Sequence, residues 1–254
     1  MKRGTIKLEV YCPKTKRADF AGMGIAIERA LGRAKQRAEK NGSPHDLFIL
    51  FAENALKYKY DDINEDDVKR AASRFCNLLA KEEIWTGIGF AVMHRENGSV
   101  SNSGVLVSQQ GQEIKPKRMF ADGDWSETRE FANRNFGSSP SFDDLKENWE
   151  NRGDSLEKSD APFPTVISAN EYEIEHRVCR DAYAMPINDE PDKVTLVSAD
   201  GLEYDGFWIP DKRGAVIVND PDYFFPYFKC DGKKYQISEI DYRFPFKNNS
   251  ILFY

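Results

Sequence analysis

Cysteine and histidine are scarce in this chain, and the few present are scattered. Cys12, Cys76, Cys179 and Cys230 lie far apart and form no CxxC pair. That spacing argues against a zinc site and a disulfide framework, and it predicts a reducing, cytoplasmic compartment. The three histidines, His45, His94 and His176, have no metal-ligand spacing, so each reads as a solvated or locally bonded side chain. No stretch approaches about 18 consecutive apolar residues, so no membrane span is predicted. The opening MKRGTIKLEVY is basic but lacks the long apolar run of a signal peptide. No long basic run is present either, and the net charge is −6, which speaks against nucleic acid or an anionic membrane as partner. Repeats and low-complexity segments are missing. What remains is a globular composition, 40% hydrophobic and 31% charged, whose 254 residues fit one large domain.

The periodicities alternate between those of strand and helix. Ile6, Leu8 and Val10 alternate with Lys7 and Glu9, predicting a strand over 5–11. Residues 23–40 carry an apolar stripe of Ile25, Ile27, Ala30, Leu31, Ala34 and Ala38 opposite a charged face, and Asn41-Gly42-Ser43-Pro44 stops that helix. Residues 47–52 are apolar without alternation, the mark of a strand buried on both faces, and Glu53 follows. Asn64 with Glu65, Asp66 and Asp67 reads as a capped helix start, continued by Val68, Ala71, Ala72, Phe75, Leu78 and Leu79. A hairpin over 84–94 and 100–108 comes next, turning at Gly98. GQEIKPKRMF, from Gly111, reads on its own as a solvated basic loop. Residues 121–164, rich in Asp, Glu, Asn, Ser and Gly, read as a long covering excursion with helical segments at 126–135 and 141–151. Strands are then expected at 193–198, 214–218 and 235–242, with the aromatic tail packing on the body or on another subunit. The order predicts an α/β layered fold, with helices covering a mixed sheet.

EYEIEHRVCRDAYAMP places Cys179 where a strand should end. Ile174, His176 and Val178 alternate with Glu175 and Arg177, and Pro186 marks a break. A thiol at a strand end with basic neighbours is a candidate nucleophile, because positive charge favours the thiolate. The bland reading is a small core residue. A Glu at the end of a buried strand is likewise a candidate base, and its bland reading is a surface loop carboxylate.

Three stretches together resemble the nitrilase, or carbon–nitrogen hydrolase, superfamily. FILFAENAL is similar to that family's apolar strand ending in a catalytic Glu, which puts Glu53 in that place. NSGVLVSQQGQEIKPKRM is similar to its Asn-Ser strand running through a Gly turn to a catalytic Lys; Lys117 matches best and Lys115 is the alternative. RVCRDAYAMP is similar to its nucleophile motif, with Cys179 as the nucleophile. The chain departs from the pattern at Ala52 for Pro, Lys115 for an aromatic, Met119 for His, and Glu175-His176 where a Gly is usual. These departures bear on the substrate more than on the fold.

The resemblance implies an α-β-β-α sandwich, here one domain over 1–254 interrupted by the 121–164 excursion, and a homodimer. It also implies a thioester mechanism. Cys179 attacks a carbonyl, Glu53 moves the proton, and Lys117 stabilises the oxyanion with the backbone N–H of Arg180 as second donor. Glu127, with Asp124 as rival, orients Lys117. No metal or organic cofactor is needed. The substrate is then a small amide or a nitrile. A catalytically silent binding or scaffold protein, an acyl or amide transferase, and a chance match around a buried cysteine stay open.

Overall fold

A computed structural model describes residues 7–13, 18–41, 45–56, 63–96, 99–116, 165–169, 172–179, 193–199, 215–219, 227–230, 233–236, 242–246 and 249–253. The alternating start forms strand β1 (Lys7–Tyr11). The striped segment forms helix α1 (Phe20–Asn41), although Ile25, expected on its apolar stripe, is exposed. The apolar run forms β2 (Asp46–Leu50), and Glu53 opens a short 3-10 turn, Glu53–Ala55. Helix α2 (Glu65–Leu79) begins at a capping box: Asn64 accepts from the Asp67 N–H, and the Asp67 carboxylate accepts from the Asn64 N–H. The hairpin is β3 (Thr86–Glu96) and β4 (Ser99–Ser108), extended by β5 (Gly111–Pro116).

The remaining strands are β6 (Thr165–Ala169), β7 (Tyr172–Val178), β8 (Lys193–Ser198), β9 (Ala215–Asn219), β10 (Tyr227–Cys230), β11 (Lys233–Gln236), β12 (Tyr242–Phe246) and β13 (Asn249–Phe253). They build two mixed sheets. The first runs β12-β13-β1-β2-β3-β4-β5 and the second β11-β10-β9-β8-β7-β6. β2 lies in the middle of the first sheet, parallel to both neighbours, which is why its sequence is apolar on both faces.

The two faces of the first sheet meet different layers. Ile49, Phe51, Ile88, Phe90, Val105 and Val107 pack under α1 and α2 against Met23, Ile27, Phe75 and Leu79. Leu8, Val10, Phe48, Leu50 and Leu106 turn the other way, onto Ile174, Val194, Leu196 and Ile217 of the second sheet. Each of these fully buried side chains contributes about 1.5–3 kcal/mol of transfer free energy, so the sandwich has two apolar layers holding the sheets in place. The architecture is α/β, two mixed sheets with helices on the first. The helical segments expected at 126–135 and 141–151, and the 121–164 excursion as a whole, lie outside the described residues.

Four expectations need correction. The basic loop expected after Gly111 begins as an edge strand, because Gln109-Gln110 makes a two-residue turn that folds it back on β4 with Ser108 opposite Gly111. β6 lies in the stretch just after the excursion, where no strand was expected. The strand expected at 235–242 is two strands: β11 ends at Gln236 and β12 starts at Tyr242. The aromatic tail is a hairpin of the first sheet, with β13 parallel to β1. Pro245, which removes a ladder donor, lies on β12 at the sheet edge, where that loss is tolerated.

Candidate functional site

Glu53 sits just beyond the carboxyl end of β2, where parallel strands open onto a site. It is half-buried. Its Oε1 accepts a hydrogen bond from Asn102 Nδ2 at 3.1 Å, across from β4. Its own N–H donates to Ala199 O in the second sheet, at 3.2 Å. Asn102 faces the second sheet, as does Gly104 two residues on.

Cys179 follows the last residue of β7, as the alternation predicted, and is 3% exposed. Its N–H donates to Ser198 O at 2.7 Å. Its φ is +43°, and it is the single non-glycine residue at positive φ among those described. An L-residue pays about 1–2 kcal/mol for that conformation, and such strain concentrates at functional sites.

Ser198 and Ala199 thus bring the pair together. Consecutive carbonyls at the end of β8 accept the N–H of Cys179 and the N–H of Glu53. Residues 126 apart in sequence are fixed to neighbouring peptide groups, from opposite sheets. The end of β2 is held by side chains as well. Asn219 Nδ2 donates to Leu50 O at 2.6 Å, and Ser198 Oγ donates to Phe51 O at 2.7 Å.

The basic neighbour Arg177 does not serve the thiol in the way the sequence suggested. Alternation turns it to the other face of β7, where its guanidinium pairs with Glu175 and both are buried. His176 is not solvated. It is buried between the sheets and bonded to Ser198, and desolvation pushes its pKa down to about 3. His94 is also buried, bonded to Ser103 Oγ at 3.0 Å.

Lys115 is on β5 opposite Gly104, with its ammonium 3.3 Å from Glu113. Lys117, Glu127, Asp124 and Arg180 lie outside the described residues. No group of three or more His, Cys, Asp or Glu side chains able to hold a metal occurs among the described residues, and no described helix is long and apolar enough to cross a membrane. Asn102, Ser198 and Asn219 escaped sequence reasoning. Asn102 was visible as part of the Asn-Ser strand, but small polar residues inside strands otherwise read as solvent-facing.

No family model matches the chain, and no curated protein matches it. Among solved structures it is similar to an amidase from Nesterenkonia sp. AN1. A glutamate-to-leucine variant of that amidase, carrying the acetamide moiety of fluoroacetamide on its active-site cysteine, is 12% identical with a TM-score of 0.51, over 87% of this chain and 78% of that one. A cysteine-to-alanine variant in complex with butyramide is 12% identical, TM-score 0.48, over 87% and 78%. A cysteine-to-serine variant, described as belonging to the nitrilase superfamily, is 12% identical, TM-score 0.48, over 85% and 77%. At such identity the likeness is one of fold: this chain shares an α/β sandwich fold with the Nesterenkonia amidase.

Proposed function

We propose that the chain hydrolyses a non-peptide C–N bond of a small linear amide through a thioester on Cys179. The observation that carries this reading is the shared strand end: Cys179, strained at φ +43°, and Glu53 donate to consecutive carbonyls of Ser198 and Ala199. The neighbouring amidase, whose active-site cysteine carries an acetamide moiety, supports the choice of an amide over other carbonyl compounds.

In this mechanism Cys179 Sγ attacks the amide carbon while Glu53 takes the thiol proton. The carbonyl oxygen becomes an oxyanion, stabilised by the Lys117 ammonium and the Arg180 N–H. Glu53 returns the proton to nitrogen, the C–N bond breaks, and ammonia or an amine leaves. Water then attacks the thioester, giving its proton to Glu53. The C–S bond breaks, the acid departs, and the thiol is restored. Asn102 holds Glu53 from the side, through Oε1. Lys117 is the choice because it directly follows Pro116, whose pairing with Ser103 ends the described β4–β5 ladder next to Asn102, the donor to Glu53. Glu127 orients Lys117 in this assignment.

The burial of Cys179 favours a second reading, a catalytically silent protein that keeps the fold for binding. Iodoacetamide at neutral pH, followed by intact mass, separates the two. Cys12 is only partly buried, but desolvation pushes its thiol well above the ordinary range, which should slow its labelling. Hydrolysis predicts fast single-site labelling that is lost in Cys179→Ala and slowed in Lys117→Ala, followed by turnover in an amide screen. Slow labelling unchanged by either substitution overturns the hydrolase reading.

A further inference from the structure

His176 is a buried polar ring between the sheets and has no part in the mechanism above. It occupies a position where the resemblance would put a small residue. The facing sheet makes the room. A Cβ added to Gly89 would stand 2.9 Å from His176 Cδ2 and 3.1 Å from Nε2. One added to Gly104 would stand 3.6 Å from Nδ1 and 3.0 Å from Val178 Cγ2. A bulky ring on β7 is thus matched by two strand glycines on β3 and β4, each of which weakens its own strand.

The direction of the hydrogen bonds follows from proton counting. His176 Nε2 is 2.9 Å from Ser198 Oγ, and Ser198 Oγ is 2.7 Å from Phe51 O. A carbonyl can only accept, so the single hydroxyl proton of Ser198 goes to Phe51 O. Ser198 must then accept from the ring. Nε2 carries a proton and Nδ1 is the bare nitrogen, buried with no hydrogen-bond partner among the described residues. The result is a one-way chain, Nε2–H to Oγ–H to Phe51 O. The strand register pairs His176 with Leu196, so Ser198 lies two residues further along on the same face. Chains of this kind reinforce each donor along the line.

We infer that His176, acting through the Ser198 hydroxyl, is a positioning residue that sets where Glu53 stands relative to Cys179. Ser198 touches the site in two ways, and its neighbour in a third. Its side chain holds Phe51 O, two residues before Glu53; its carbonyl takes the Cys179 N–H; and the carbonyl of the next residue, Ala199, takes the Glu53 N–H. Without the ring, Ser198 Oγ loses its donor and its rotamer is free to change. Phe51 O then loses its partner, and the segment from Phe51 to Glu53 can shift against β8. Misplacement of a base by about 1 Å costs on the order of 100-fold in rate. This role rests on the thiol-hydrolase reading for its chemistry, but not for its geometry.

The test compares His176→Phe, Ser198→Ala and His176→Gln with the parent chain. Phe keeps the volume and removes the donor; Gln keeps a donor at the Nε2 position. Two properties are measured: amide hydrogen exchange by mass spectrometry, and the pH profile of Cys179 alkylation by iodoacetamide. In His176→Phe and Ser198→Ala, exchange over 51–56 and 176–181 should speed up at least tenfold while α2 keeps parent rates. Alkylation at neutral pH should fall at least tenfold, with a displaced midpoint, and His176→Gln should restore both. Unchanged protection overturns the inference, as does acceleration spread equally over α2, or an alkylation profile like the parent's. If Cys179 of the parent is not alkylated at all, the hydrolase reading falls, and local exchange with its rescue by Gln alone decides the positioning role.

Discussion

Replacing Cys179 by Ala and by Gly isolates the strain at the nucleophile position from the loss of its thiol. Both variants delete Sγ, so they differ only in Cβ and in the backbone freedom that Cβ restricts. At φ +43° the β-carbon costs about 1–2 kcal/mol, and glycine does not pay it. Glycine gives back about 0.5–1 kcal/mol through the larger freedom of its unfolded chain. The net expectation is that Cys179→Gly is more stable than Cys179→Ala by about 1 kcal/mol. For a chain of this length that amounts to about 2–4 °C in Tm. Denaturant unfolding at fixed pH gives the same difference as a shift in midpoint at constant slope. A control fixes the sign. At Ala72, buried inside helix α2, the exchange to Gly should destabilise by about 1 kcal/mol or more. If Cys179→Gly is equal to or weaker than Cys179→Ala, the backbone there is unstrained. The argument from conformation to function then loses its footing.

Four further outcomes follow from the same contacts. The His176 pKa lies near 3 in the folded chain and near 6.5 when unfolded, so the unfolded state binds the extra proton between these values. Its contribution is present in full above about pH 6.5 and is lost as pH falls. It changes by about 1.4 kcal/mol per pH unit well inside that window; a pH series should show a slope steeper by about that amount in the parent than in His176→Gln, the carboxylates contributing alike to both. Gly89→Ala, with a Cβ 2.9 Å from the ring, should cost about 1–3 kcal/mol in unfolding, and much of that should return in the Gly89→Ala, His176→Ala double variant. Asn102→Ala removes a donor to a carboxylate and should lower the amidase rate at least tenfold while leaving circular dichroism unchanged; an unaffected rate would mean that Glu53 does not depend on it. Asn64→Ala breaks the α2 capping box and should cost about 1 kcal/mol, read as a shift in denaturant midpoint.

What the sequence makes legible is what depends on neighbours in sequence. The α1 stripe, the Asn64 cap, the unbroken apolar run of β2 and the bounds of β8 all follow from local pattern. Glu53 and Cys179 stand out because each ends such a strand. β5 and β13 do not, because their strand character comes from partners. GQEIKP becomes a strand only when Val105 stands opposite Ile114, and NSILF only when it slides in beside β1 at the far end of the chain. The buried polar residues fail for the same reason. Nothing near Ser198 or Asn219 announces a carbonyl of β2, which lies 147 and 169 residues away in sequence. His176 was grouped with Ile174 and Val178 by alternation. Even so, a lone histidine reads as solvated or locally bonded, and nothing local shows its burial or the hydroxyl waiting there.

These buried polar contacts bear on why two sheets joined by apolar layers can hold Glu53 and Cys179, the pair proposed to be catalytic, in register. Apolar packing is nearly indifferent to a small slide of one sheet over the other, since area lost at one end is regained at the next. Hydrogen bonds across the gap are not indifferent, because each fails within a few tenths of an ångström. Leu50 O, Phe51 O and Glu53 N–H are each taken by the second sheet, from Asn219, Ser198 and Ala199. All three lie at the end of β2, beyond the apolar contact of Phe48 and Leu50 with Leu196 and Ile217. The opposite end of β2 is tied as well, where Tyr172 OH donates to Asp46 Oδ2 at 3.0 Å. Buried carbonyls left without partners cost about 1–3 kcal/mol each, so a slip would lose several at once. Glu53 and Cys179 therefore keep their relative position through the end of β8.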